Sequence, residues 1–144
     1  MNDLQLISVD DDAGREACFP VMQLLRPHLT DKAAFVQQLR RQAAQGYRLL
    51  AASVNGQVLA LAGYRLSENL LYGRFLYVDD LVAADAARSH GVGQRLIEAL
   101  RIEAQAEACA HLVLDTALSN ALAQRFYFRQ GLLSRGLHFS QRLA

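Results

Sequence analysis

The segment Arg88-Ser89-His90-Gly91-Val92-Gly93-Gln94 combines a cation, two closely spaced glycines and the start of an amphipathic run. Glycine lets a backbone turn tightly and approach a ligand with no β-carbon in the way. At the entry to a helix such a turn aims several unpaired N–H groups at one point, where the helix dipole also favours negative charge. That arrangement binds phosphate or diphosphate, and Arg88 can add a side-chain charge. A glycine-bearing helix start without any ligand has the same local sequence, so the turn alone does not decide. Spacing removes two competitors. A Walker loop needs Gly-Lys followed by Ser or Thr, which this chain lacks. A dinucleotide-binding turn needs a third glycine where Leu96 stands, and an early βαβ unit.

Asp79 and Asp80 are adjacent acids in an apolar stretch with strand character. Neighbours on a regular strand point to opposite faces, so only one of the pair is expected to face a given cleft. Cys18 and Cys109 are far apart in sequence and read as two reduced thiols that pack as small hydrophobes. His28, His90, His111 and His138 are scattered without metal-ligand spacing, and no metal is expected.

These residues need elements to hold them. A chain of 144 residues with 52% hydrophobic content suits one domain, residues 1–144, with one core. Leu4 to Val9 predicts a strand, Ala17–Leu25 and Asp31–Gln45 two helices, with Thr30 as the N-cap of the second. Tyr47–Val54 and Gln57–Leu66 flank Asn55-Gly56, a dipeptide suited to a two-residue type I′ hairpin. Ser67-Glu68-Asn69 reads as a loop and Phe75–Ala83 as a third antiparallel strand. Val92, Leu96, Leu100 and Ala104 recur every four residues with Ile97 beside them, predicting the longest helix up to Ala108. His111–Asp115 predicts a short strand. Ser119–Gln130 predicts a last helix, capped by Ser119 or Asn120 and stopped by Gly131, with one or two terminal strands after it. The order gives a mixed α/β fold with a mostly antiparallel sheet flanked by helices.

Arg88-Ser89-His90-Gly91-Val92-Gly93, after a strand and before an amphipathic helix, resembles the acetyl-CoA diphosphate loop of the GNAT N-acetyltransferase superfamily. Ser89 stands where the usual form has glycine. A second family pattern follows about thirty residues on, matched by Asn120, Ala123, Phe126, Tyr127, Gly131 and Leu132. The resemblance implies a GNAT-type fold and an acetyl-CoA-dependent transfer of acetyl to an amine by direct attack in a ternary complex. It implies that the amides of His90, Gly91, Val92, Gly93 and Gln94 hold the diphosphate, with Arg88 and Ser89 beside it. Leu81, Val82 and Ala83 would run along the pantetheine arm, and an N–H of Leu81 or Val82 would polarise the thioester carbonyl. Asp79 or Asp80 would take the amine proton, with a slight preference for Asp79. An aspartate of ordinary acidity is a poor base near neutrality, so a water relay or a raised pKa would be needed. Tyr127 would point its hydroxyl at the CoA sulfur as general acid, and Asn120 would contact the CoA arm, act as a plain N-cap, or do both.

Tyr72, Arg74 and Tyr77 are candidates to line the acceptor cleft, and His138 and Phe139 could line it or pack on the sheet. The net charge of +1 provides no general field for nucleic acid or membrane. The start of the chain lacks a signal-peptide pattern, and no apolar run reaches the roughly 20 residues of a membrane span, so a cytoplasmic protein is expected. The resemblance is compatible with a homodimer. A non-catalytic acyl-CoA sensor and a transferase of longer acyl groups are the alternatives, and the acceptor amine is not written in the sequence.

Overall fold

The computed structural model describes residues 3–144. The order is β1 (Leu4–Val9), α1 (Asp12–Leu25), α2 (Lys32–Ala44), β2 (Arg48–Val54), β3 (Gln57–Asn69) and β4 (Gly73–Ala83). A 3-10 turn (Asp85–Ala87), α3 (Val92–Ala106), β5 (His111–Leu114) and α4 (Ala121–Arg129) complete it. The chain divides into two compact units, the first ending at Val113 and the second spanning Leu114–Ala144.

In the first unit the sheet order follows the chain, β1-β2-β3-β4-β5, and the first four strands pair antiparallel. Asn55 and Gly56 turn the β2–β3 hairpin with φ of +51° and +79°, the paired positive values that a type I′ turn requires. β3 does not stop at Leu66. Glu68 and Asn69 pair with Arg74 and Gly73, so the segment expected to be a loop is the exposed end of a long hairpin. Its polar side chains mark exposure, not the loss of the ladder.

The helices begin where short acids cap them. Asp11 accepts from the Gly14 amide at 2.8 Å and starts α1 at Asp12 rather than Ala17. Asp31, not Thr30, caps α2 by accepting from the Ala34 amide at 3.1 Å. Such a cap stabilises a helix by about 1 kcal/mol. One face of the sheet packs Tyr47, Leu49, Ala51 and Leu61 against Cys18, Phe19, Met22, Phe35 and Leu39 of α1 and α2. Burial pushes the Cys18 thiol up to about 11, which suits a packing residue and not a nucleophile. The stripe expected on α3 is the stripe it buries: Val92, Leu96, Ile97, Leu100 and Ala104. Each large side chain among them contributes roughly 1.5–3 kcal/mol, and together they anchor the helix whose first turn carries the glycines.

In the second unit Asn120 caps α4 by accepting from the Ala123 amide at 3.1 Å. Gly131, at φ +89°, ends it in the left-handed turn expected of a C-terminal glycine. Among the described residues no strand follows β5, contrary to the terminal strands expected from the sequence. A strand needs a neighbouring ladder to bond with, and apolar alternation alone does not supply one. Phe139 is 86% exposed.

Candidate active site

The turn between β4 and α3 has the backbone its glycines suggest. Gly91 is the N-cap of α3 at φ +72°, and Ser89 is also left-handed at φ +69°. A β-carbon on Gly91 would meet nothing within 4 Å, so its value lies in conformation and in an open approach. No side chain caps α3. The first loop-to-helix bond is Arg95 N–H to Gly91 O at 3.1 Å. Among the described residues the amides of Gly91, Val92, Gly93 and Gln94 donate to no cap or loop acceptor. His90 departs from the expectation: its N–H donates to Ala87 O at 3.4 Å, so the free set begins at Gly91. Arg88 is 66% exposed and pairs with Asp85 at 3.4 Å. A diphosphate fits this group of donors, because free N–H groups, the helix dipole and a nearby cation coincide there.

Upstream, β4 carries a β-bulge. Gly63 pairs with Asp80 and Tyr64 with Val78, which leaves Asp79 as the extra residue. Opposed residues share a face, so Asp80 lies on the face of Gly63, and Arg65 lies there too. Arg65 grips both oxygens of Asp79, at 2.8 and 2.9 Å. Arg26, at the C-cap of α1, donates from Nε and Nη2 to Oδ1 of Asp80 at 3.0 and 2.9 Å, and from Nη2 to the Asp79 carbonyl at 3.0 Å. The Tyr47 hydroxyl donates to Oδ2 of Asp80 at 2.7 Å. The two aspartates thus do not face opposite sides: the bulge breaks the alternation and brings both to the side of α1.

Asp80, together with Arg26, His28, Gln38, Gln42 and Tyr47, lines a cleft of about 150 Å³ between α1, α2 and β4. Tyr72, Arg74 and Tyr77, the candidates from the sequence, are not among the residues that line this cleft. Tyr72 packs on Phe75 and His111, with ring centroids at 5.4 and 5.0 Å, and Arg74 bonds Glu107 just past α3. Tyr77 lies beneath the Arg65 guanidinium, 5.4 Å from ring centroid to carbon. Leu81, Val82 and Ala83 pair with Ala62, Leu61 and Ala60 of β3. On the other side, a four-residue β5 that begins beside Arg74 is too short to reach them. Their outer edge suits an added extended ligand.

Sequence reasoning missed Arg26, Tyr47, Gly63 and Arg65. They meet the aspartates only through pairing and packing across long sequence separations, 54 residues for Arg26 and 33 for Tyr47. In the second unit, the Asn120 side-chain oxygen is used by the cap, while its amide donors are not. Tyr127 is half-buried on α4, and burial pushes its phenol above the usual range. Among the described residues no cluster of His, Cys, Asp or Glu could hold a metal ion.

The model of the acetyltransferase (GNAT) family matches residues 15–132. The uncharacterized N-acetyltransferase YhdJ of Bacillus subtilis (strain 168) is 29% identical over 110 residues, covering 76% of this chain and 77% of that one. Among solved structures, a transcriptional regulator from Bacillus halodurans C-125 superposes with a TM-score of 0.87 at 17% identity, covering 97% of this chain and 99% of the other. The aminoglycoside N-acetyltransferase AAC(6')-Iy in complex with CoA superposes with a TM-score of 0.85 at 14% identity, over 98% and 95%. These two likenesses establish the fold.

Proposed function

Because the chain belongs to the acetyltransferase (GNAT) family, we propose that it transfers the acetyl group of acetyl-CoA to a primary amine by direct attack in a ternary complex. The observation that carries this reading is the set of unengaged amides from Gly91 to Gln94 at the mouth of α3. They would hold the diphosphate, with Arg88 and Ser89 beside them, and the open edge of Leu81, Val82 and Ala83 would pair with the pantetheine amides. A family match that runs across the boundary at Val113 supports reading residues 1–144 as one catalytic domain.

In the reaction the amine nitrogen bonds to the thioester carbonyl carbon, the C–S bond breaks, and one proton leaves the nitrogen as one is gained by the sulfur. A backbone N–H of Leu81 or Val82 would stabilise the oxyanion that forms on the carbonyl oxygen. Of the two aspartates the geometry favours Asp80 over Asp79 as acceptor of the amine proton, through water. Both carboxylates are bonded through both oxygens, but only Asp80 borders the cleft. The raised phenol of Tyr127 stays protonated near neutrality and is the donor assigned to the departing thiolate. Asn120, with its amide donors unspent, would contact the CoA arm. Such a reaction suits a cytoplasmic protein, and among the described residues no helix is long and apolar enough to cross a membrane.

A CoA-release assay over a panel of primary amines tests the proposal. Turnover is expected on at least one, with Asp80→Asn lowering kcat by about 10²-fold, the lower end of general-base contributions. Tight acetyl-CoA binding with no turnover on any amine would favour the alternative of a non-catalytic acyl-CoA sensor.

A further inference from the structure

Asp80 is held more completely than a surface carboxylate needs. An ionised carboxylate offers about four acceptor positions. Arg26 fills two on Oδ1, and the Tyr47 hydroxyl fills one on Oδ2. One position, on Oδ2, is left, and Asp80 borders the cleft. Tyr47 itself is only 6% exposed, and it reaches Asp80 through a gap in β3. A β-carbon on Gly63 would stand 1.7 Å from the Tyr47 hydroxyl oxygen and 2.4 Å from Cζ. Gly63 is the residue directly opposite Asp80 in the strand pairing. Its φ is not in the left-handed region, so the glycine is required by space and not by backbone conformation.

We propose that Tyr47, seated over Gly63, is a positioning residue for the reaction: its hydroxyl fixes Oδ2 of Asp80 so that the one remaining lone pair meets the acceptor amine or its relay water. The inference rests on Asp80 being the acceptor-side carboxylate. Burial, and after it the neighbouring Asp80 charge, push the Tyr47 phenol far above its ordinary value. The hydroxyl therefore donates at every working pH and never competes for the amine proton. Arg26 holds the opposite oxygen and the bulge carbonyl, so the carboxylate is gripped from two directions and cannot rotate.

The test is a double-mutant cycle on kcat with the best amine of the panel, using Tyr47→Phe, Asp80→Asn, the double variant and Gly63→Ala. Tyr47→Phe keeps the buried ring and is expected to lower kcat about 10-fold, with KM for acetyl-CoA within twofold of wild type. Residues that act as a unit are non-additive, so the double variant should be no slower than Asp80→Asn alone. Gly63→Ala displaces the phenol without removing it and should reproduce the loss in kcat. A Tyr47→Phe penalty that persists undiminished in the Asp80→Asn background, or an unchanged kcat, would overturn the proposal. If Asp80→Asn turns over like wild type, the positioning role falls while acetyl transfer stands. If wild type releases no CoA with any amine, the proposed function falls and carries this role with it.

Discussion

Gly91→Val is expected to raise the Kd for acetyl-CoA by about 10²-fold or more while the protein remains folded. Gly91 sits at φ +72° with nothing within 4 Å of where a β-carbon would be. The added β-carbon therefore meets no steric clash beyond the neighbouring residues, and the substitution acts chiefly through the backbone. A left-handed conformation costs an L-residue roughly 1–2 kcal/mol, and β-branching adds to this. The turn is expected to escape by rotating, which swings the free amides of Gly91 to Gln94 off their common target. Hydrogen bonds to a charged group are each worth about 1.5–3 kcal/mol, so losing two accounts for the expected change. Gly91→Ala should fall between valine and wild type. Calorimetry reads the affinity and thermal melting confirms the fold; unchanged affinity for the valine variant would remove this turn from the binding site.

Tyr127→Phe is the second large effect. The variant should bind acetyl-CoA within twofold of wild type and lose about 10²-fold in kcat, as expected when a general acid is removed and the ring is kept. The pH dependence has a definite sign. Burial raises the phenol above its ordinary value of about 10, so it stays protonated below that value and is lost as a donor only as pH rises through it. Any alkaline fall in kcat governed by Tyr127 lies above pH ~10 in the wild type and is absent from the phenylalanine variant. An undiminished kcat would assign Tyr127 to packing on α4, where its ring lies 5.6 Å from that of Phe126.

The elements legible in the sequence were those whose signal is local. Asn55-Gly56 specified its hairpin because few other residue pairs accept two positive φ values. The four-residue stripe from Val92 to Ala104 specified the buried face of α3. The early start of α1 was obscured by Gly14 in its first turn and by Pro20 in its interior, both unfavourable in helices. Packing of Cys18, Phe19, Val21 and Met22 into the core outweighs them. The last residues of β3 were hidden because their pairing to Gly73 and Arg74 is a backbone matter that side-chain polarity does not report.

At the candidate site the contrast is sharper. The glycine turn was visible because phosphate binding depends on backbone, and backbone freedom is written in glycines. The environment of the aspartates was not. One extra residue at Asp79 reverses the face expected from alternation, and nothing in the local composition of 75–83 signals it. Arg26, Tyr47 and Gly63 acquire their meaning only when α1, β2 and β3 are brought against β4. Tyr47 in particular looks like an ordinary aromatic at the start of a strand until the space left by Gly63 is seen.

Amide NMR of the labelled protein titrated with CoA tests the account at its centre. The N–H signals of Gly91, Val92, Gly93 and Gln94 are expected to shift downfield together, with a single Kd. CoA lacking its diphosphate should leave them in place. Saturable CoA binding that leaves those four signals unmoved would contradict the account.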